Sequence, residues 1–402
     1  MHNKIETRMS GKQTYNIVPM LRFPEFREKG GWEMKRLGEI AIRVINRNKE
    51  NKTLPVLTNS ATGGIVCQQD YFDREIVTKD NLTNYSIVDV NDFVYNPRIS
   101  TIAPVGPISR NNLCLGIMSP LYTIFRFTEG CLDYFEQYFK TGCWHKYLKG
   151  KANFGARYDR MNITSEDFFN MPIPFPPIEE QQKIAQSLLK LDEFIKADNG
   201  KHEQLKAHKK NFMLRLFPQN DQTVPEYRFP EFKQDGEWKR KQLKEIIIVN
   251  SGRDYKHLNA GEIPVYGTGG YMLSVNDRLS DIDAVGIGRK GTIDKPQYLK
   301  APFWTVDTLF FLTCKKNYDT MFVYYLAQII PWRKYGEQTG VPSLSKISIE
   351  NLEVFVPESN TEQKKIAQCL SFLDKELSLL EKEVLLIENL KKGLSQLLFP
   401  KN

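Results

Sequence analysis

Apolar residues follow two rhythms along this chain. In two stretches they recur in alternating steps of four and three: Ile184, Leu188, Leu191 and Ile195, resuming at Leu205, Phe212 and Leu216, and later Ile366, Leu370, Leu373, Leu377, Leu380, Val384, Ile387, Leu394 and Leu398. This is the seam of a coiled coil and predicts two long helices. Prolines precede each stretch (Pro172, Pro174, Pro176 and Pro177; then Pro357), and each closes on Leu-Phe-Pro, at 216–218 and 398–400. Proline keeps the residue before it out of helix and stops a helix it cannot extend. Between these stretches the apolar runs are short and broken by Gly, Pro and Asn. Residues 93–95, 284–287 and 309–312 read as strands, 121–127 as a further short apolar run, and 132–148 and 321–330 as helices. Short strands with few helices make α+β modules.

The chain also repeats itself. Arg22-Phe23-Pro24-Glu25-Phe26 returns as Arg228-Phe229-Pro230-Glu231-Phe232, each followed by a Trp (Trp32, Trp238), a Leu (Leu37, Leu243) and a Glu-Ile pair. EQQKIAQ from Glu180 returns as EQKKIAQ from Glu362. The first motif recurs after 206 residues and the second after 182, so the frame is kept while the middle of the first copy is longer by about 24 residues. Weaker matches fall in the same order: Pro55-Val56 then Gly63-Gly64 against Pro264-Val265 then Gly269-Gly270, and 98–101 against 289–292. A repeat of this kind decides the architecture. The expected division is a flexible lead-in (1–20), a first module (21–178), a central helix (179–218), a second module (219–360) and a C-terminal helix (361–402). Two tandem copies about a local two-fold axis run their helices antiparallel, a pseudo-two-fold repeat with a globular module at either end. Residues 180–216 supply roughly 55 Å of helix at 1.5 Å per residue.

Polar residues interrupt the seam. Asp198 and His202 take the places of Leu380 and Val384, and Lys209 and Lys391 share one seam position. Lysine stems lying over apolar neighbours account for the two lysines. For Asp198 and His202, a seam loosened near solvent and a role in fixing register or facing a partner stand level.

At 402 residues there is room for two ordinary domains plus connecting helices. A formal charge of +8 and a pI near 8.9 suit a polyanionic partner without requiring one. The six cysteines are scattered with no CxxC pair, and the five histidines have no paired spacing, so isolated reduced thiols and no metal site are expected. The N-terminus is polar and no apolar run approaches a membrane span. The simplest expectation is a soluble cytoplasmic protein.

Candidate chemistry is sparse. Gly286-Ile287-Gly288-Arg289-Lys290-Gly291 has dinucleotide-loop spacing, yet Thr292-Ile293-Asp294-Lys295-Pro296 opens no helix, so a basic β-turn is expected. Asn96-Pro97-Arg98-Ile99 lacks the second proline and the aromatic of the amine-gripping loop in DNA amino-methyltransferases, and no GxxxxGK[ST] appears. Glu231-Phe232-Lys233 has the ExK spacing of some nucleases but belongs to the repeat opening, where packing explains it. No catalytic constellation assembles.

Basic residues cluster instead. Lys146, Lys149, Lys151, Arg157 and Arg160 alternate with Trp144, Tyr147, Phe154 and Tyr158, and Arg98 follows the 93–95 strand. The second module has Arg289, Lys290, Lys295 and Lys300, then Trp332-Arg333-Lys334-Tyr335. Lys and Arg neutralise phosphates, and Arg grips guanine edges through two hydrogen bonds. A solvated face explains any one of them equally well; as clusters in both modules they point to DNA. The candidate DNA-binding set is Arg98, Lys146, Tyr147, Lys149, Lys151, Arg157, Tyr158 and Arg160, with Arg289, Lys290, Lys295, Arg333, Lys334 and Tyr335.

Twin variable modules that open on RFPEF…W…L…EI, and close on a proline stop, EQxKIAQ and a heptad helix ending in LFP, closely resemble the specificity subunit of type I restriction-modification enzymes. The likeness covers essentially the whole chain beyond residue 20. The resemblance implies two target-recognition domains, each reading one half of a bipartite, asymmetric site in double-stranded DNA, with antiparallel helices setting the gap. Half-sites read from one face lie about one helical turn apart, roughly 34–36 Å. It further implies a non-catalytic bacterial defence component. Its partners would be two methyltransferase subunits, which bind S-adenosylmethionine and methylate adenine, and ATP- and Mg-dependent restriction subunits; this chain would hold no cofactor itself. The repeat and heptads also permit a protein-interaction scaffold with two modules on a coiled-coil rod, against which the basic clusters argue. A self-sufficient methyltransferase or nuclease lacks its usual motifs.

Overall fold

The structure, a computed structural model, describes residues 17–71, 82–152, 159–219, 222–336 and 341–400. It divides into two units, one formed by residues 1–197 with 384–402 and the other by residues 198–383.

The first unit begins with β1 (Glu33–Arg36), α1 (Leu37–Ile40), β2 (Ala41–Val44), β3 (Leu57–Ser60), β4 (Gly64–Cys67) and α2 (Gln68–Tyr71). Five strands follow: β5 (Ser86–Val88), β6 (Phe93–Tyr95), β7 (Ile108–Arg110), β8 (Gly116–Met118) and β9 (Thr123–Phe127). Then come α3 (Leu132–Phe139), α4 (His145–Lys151), α5 (Ser165–Phe169), β10 (Pro172–Phe175) and the first half of the long helix α6 (Ile178–Leu216). The central antiparallel sheet has the order β2-β9-β6-β7, and β1 pairs with β10 just before the proline stop. Aromatics fill the core: Phe93, Phe125, Phe127, Phe135 and Phe139 are all buried and in ring contact.

The 132–148 stretch is two helices rather than one. Thr141 intervenes: its hydroxyl donates to Tyr138 O (2.7 Å) and accepts from the Cys143 N–H (3.2 Å). Such local side-chain bonds compete with the helical ladder. Of the expected lead-in, residues 1–16 lie outside the described residues, while Ile17 pairs with Trp32.

The second unit contains β11 (Lys239–Gln242), α7 (Leu243–Ile246), β12 (Ile247–Ser251), β13 (Ala260–Gly267), β14 (Gly270–Val275), β15 (Ala284–Gly288) and β16 (Gln297–Leu299). It continues through β17 (Trp304–Thr305), β18 (Leu309–Cys314), α8 (Thr320–Ile329), α9 (Lys346–Glu350), β19 (Glu353–Val356) and α10 (Asn360–Leu398), whose last turns from Val384 belong to the first unit. Its main sheet, β12-β18-β15-β16, repeats the strand order of the first, and β11 pairs with β19 as β1 does with β10. β15 is buried along its whole length, as expected of a strand covered on both faces.

The repeated motifs meet each other. Arg22 Nε and Nη2 donate to the two carboxylate oxygens of Glu180, each at 2.8 Å. Arg228 does the same to Glu362 at 2.7 Å. Both pairs are buried, and the remaining Arg donors reach the carbonyls of Lys29 and Gly30 in one copy and Gly236 in the other. An outer pair repeats as well: Lys183 lies 3.1 Å from Glu25 and Lys365 3.3 Å from Glu231. The next residue of each EQ motif ties the helix start to its module. Gln181 donates to Pro176 O and accepts from the Cys131 N–H ahead of α3, and Gln363 donates to Pro357 O and accepts from the Asp319 N–H ahead of α8.

Within each unit the two helical segments run antiparallel. In the first, Ile184 and Leu188 share a core with Leu398 and Phe399, and Lys391 Nζ donates to Asp192 at 2.5 Å. In the second, Met213, Leu216 and Phe217 share a core with Ile366 and Leu370, Lys209 pairs with Asp374, and His202 lies 3.1 Å from Glu381. Each terminal Leu-Phe-Pro thus plugs a module: Phe399 packs on Tyr134 and Tyr138, and Phe217 on Trp238 and Phe322. Of the seam residues, Ile184, Leu188, Leu216, Ile366, Leu370 and Leu398 are buried; Leu191, Ile195, Leu205, Phe212, Leu373, Leu377, Leu380, Val384, Ile387 and Leu394 are half-buried.

The seam lysines require a correction. They do not merely lie over apolar neighbours but make ion pairs across the helices, and in each unit a module side chain holds the same Asp: Gln137 Nε2 donates to Asp192 (3.1 Å), and the Tyr325 hydroxyl to Asp374 (2.7 Å). Asp198 is buried and accepts from Lys201 one turn on, at 2.8 Å.

Two expectations follow. Arg22→Ala strands the Glu180 carboxylate, whose side chain is 1% exposed. The first unit should lose about 3–5 kcal/mol. The joint replacement Arg22→Met with Glu180→Leu should recover most of that loss, as measured by denaturant unfolding followed by hydrogen exchange at α3. Burial works to raise the Asp192 carboxyl, but Lys391, Lys140 and Gln137 more than offset it, leaving it below its ordinary value of 3.8. Its stabilising contribution is therefore complete above pH 3.8 and fades as the pH falls through the folded-state value. Asp192→Asn should lose stability at neutral pH and lose less than the wild type on acidification, read as the urea midpoint against pH.

Candidate nucleic-acid interface

In both units the buried central strand runs out into a basic two-residue bridge. At the end of β6, Asn96 turns the chain by accepting from the Arg98 N–H (3.0 Å). Arg98 then lies opposite Arg160, held by Ile99 N–H to Asp159 O (3.0 Å) and Met161 N–H to Pro97 O (2.9 Å). Arg98 is exposed; Arg160 is half-buried, with Nε 3.7 Å from Asp159. Like charges on directly opposed strand positions repel. An anion between them relieves that repulsion.

At the end of β15, Lys290 lies opposite Ser343, held by Gly291 N–H to Pro342 O (3.0 Å) and Leu344 N–H to Arg289 O (2.9 Å). The hydrogen bonds match those of the first unit one for one. The GxGxxG spacing is explained here without a nucleotide. A Cβ on Gly288 would fall 2.1 Å from Thr292 O, so glycine is required by the close return of the loop. Beside the bridge lies a cleft of about 340 Å³ lined by Arg289, Lys290, Lys346, Ser251, Ser343 and Ser345, together with the apolar Phe310 and Leu344. The Arg289 guanidinium stands 5.8 Å over the Phe310 ring. Three cations and three hydroxyls line it, Lys346 also standing 3.7 Å from Glu350, and together they form a setting for a phosphate.

The other expected residues are dispersed. Lys146 and Lys149 are exposed on α4, and Lys146 lines a second cavity, of about 720 Å³, with Lys140, Lys391 and Lys392. Lys151 lies 3.4 Å from Asp167. The aromatics between them face inward: Trp144 is buried and donates to Phe139 O (3.2 Å), and Tyr147 packs against the core and donates to Asp167 O (2.9 Å). Arg157 and Tyr158 lie outside the described residues. In the second unit Lys295, Lys334 and Tyr335 are exposed, while Arg333 donates to Asp294 at 2.6 Å and holds that carboxyl below its ordinary value.

Lys346, Ser251 and Ser345 were not read from the sequence. The segment Ser345 to Ser348 carries a capping-box pattern, which marks the start of α9. Nothing local shows that this start folds back against β15.

A family model described as the type I restriction modification DNA specificity domain matches residues 29–207 and again 235–389. The chain is 25% identical over 275 residues to the type I restriction enzyme MjaVIII specificity subunit of Methanocaldococcus jannaschii, a match covering 59% of this chain and 63% of that protein's length. Among solved structures, the type I restriction-modification S subunit from M. genitalium shares the fold at a TM-score of 0.61 and 17% identity, covering 96% of this chain and 100% of that one. A chain from a structural study of complex assembly and conformational transition in a type I R-M system does so at 0.57 and 14%, covering 91% and 96%.

Proposed function

The chain belongs to the type I restriction-modification DNA specificity family, and from that premise we propose that it is a non-catalytic reader of double-stranded DNA, each module recognising one half of a bipartite, asymmetric site. One observation carries this reading. The same strand exit bears a basic bridge in both units, with the same backbone bonds and different side chains: Arg98 with Arg160, and Lys290 with Ser343. A common backbone presents cations to phosphates in both halves, and the differing residues around it allow the halves to differ in sequence.

Apolar side chains left exposed on the last turns of α10, at Leu386, Leu390 and Leu397, support docking of modification subunits. Two such methyltransferase subunits supply S-adenosylmethionine and the methyl-transfer chemistry. Restriction subunits supply the ATP- and Mg-dependent steps. This chain's own task is to choose the site.

In the complex assembled with its methyltransferase subunits, Lys290→Ala and Lys149→Ala should each shallow the log–log salt dependence of DNA binding by about 0.9. An unchanged slope in both would remove these lysines from the contact surface. Replacing residues 227–356 with the second module of another family member should change one half of the methylated motif and leave the other intact, read by sequencing methylated adenines. A change in both halves would refute independent reading.

A further inference from the structure

Each basic bridge has a hairpin moored beside it. In the first unit β3 and β4 pair antiparallel. Asn59 on β3 donates to Val94 O (2.7 Å) and Pro107 O (3.2 Å), and Asn96, two residues before Arg98, donates to Asn59 O (2.9 Å). In the second unit β13 and β14 form the hairpin, turning through Thr268 and Gly269. Gln297 Nε2 donates to Gly267 O (2.9 Å) and Thr268 O (3.2 Å) at that turn. Gln297 itself pairs with Gly286, three residues before Arg289. Three strand residues span about 10 Å. A second mooring runs through 306–308: Val306 N–H donates to Tyr266 O (3.0 Å), and Thr308 O accepts from the Arg289 N–H (2.8 Å).

This braced hairpin holds two large side chains in solvent. Tyr271 is 63% exposed and Met272 49%. They follow Gly270, whose φ of +108° is a conformation that L side chains rarely adopt. The Tyr266 ring meets Tyr271 edge-on at 6.5 Å and steadies it. Exposed Arg253 adds positive charge nearby, its N–H donating to Thr305 O beside the hairpin. Rigid, exposed and flanked by cations, the ribbon fits a B-DNA major groove about 12 Å wide, where a phenol can bond base edges and a thioether can touch a thymine methyl. The corresponding turn of the first unit carries Ala61 and Thr62, a smaller and different surface.

Resting on the DNA reading above, we infer that the β13–β14 hairpin is the base-reading element of the second module, with Tyr271 and Met272 contacting base edges while Arg289, Lys290 and Lys346 hold phosphates. The test is selection of bound duplexes from a randomised pool, using the full chain assembled with its methyltransferase subunits. Tyr271→Ala with Met272→Ala should flatten the preference at one or two adjacent positions of one half-site, by roughly 5- to 150-fold in discrimination. The salt slope and the other half-site should stay as in the wild type, and Tyr271→Phe should restore part of the preference. An unaltered motif in the double variant overturns the inference and leaves the DNA reading standing. So does a uniform loss of affinity with a shallower salt slope, which would make the hairpin a backbone contact. A wild-type complex that selects no sequence overturns both. Thermal melting of each variant, expected to match the wild type because both side chains are exposed, separates a folding defect from these results.

Discussion

A buried ion pair, made twice, is the constraint on which the rest depends. Arg22 grips Glu180 and Arg228 grips Glu362, each through two parallel hydrogen bonds out of water. Desolvating both charges cancels much of their attraction, so such a pair adds little net stability over a well-packed apolar one. Its force is negative: either charge without the other is expensive. The opening of each module therefore has one place to go, against the start of the helix that follows the same module. Because the clasp joins the first and last segments of a module, what lies between can lengthen without disturbing the frame. The first copy is longer by about 24 residues between the same two motifs.

The helices also carry ion pairs where a coiled coil would prefer leucine. Within each unit a lysine from one helix meets an aspartate on the other, and a residue of the module, Gln137 or Tyr325, bonds that aspartate in turn. Three elements meet at one carboxylate, so helix register and module orientation are fixed together. An all-leucine seam tolerates slippage by whole heptads; a single well-placed polar contact does not.

Periodic and repeated features were legible in the sequence because their signal is local. The heptads, the proline stops and the returning RFPEF and EQxKIAQ motifs gave the antiparallel helix pairs and the α+β modules. What needed the fold was contact between distant residues. Lys209 finds Asp374 across 165 positions and Lys391 finds Asp192 across 199, and no spacing rule reaches that far. The aromatics Trp144 and Tyr147 looked like partners of the lysines around them. On a short helix, alternate residues point to different faces, and these rings turn to the core while Lys146 and Lys149 turn out. The cleft at Lys346 and the moored hairpin were invisible for the same reason: both depend on which strand lies beside which.

Charge gives the last step. A surplus of +8 over 402 residues says little about where a polyanion would sit, because many of the cations already face a carboxylate. Arg110 meets Asp133, Arg126 meets Asp89 and Asp92, Arg240 meets Glu353, and Arg333 meets Asp294. Of the candidate DNA-binding cations among the described residues, Arg98, Lys146, Lys149, Arg289, Lys290, Lys295 and Lys334 make no ion pair, and Arg98, Arg289 and Lys290 sit where a central strand leaves its sheet. An exposed cation paired with a carboxylate must exchange one partner for another to bind a phosphate; an unpaired one gives up only water and small ions. The strand exits therefore hold charge that can be committed to DNA without first releasing a carboxylate, and the frame that the clasp enforces puts them at the same place in both copies.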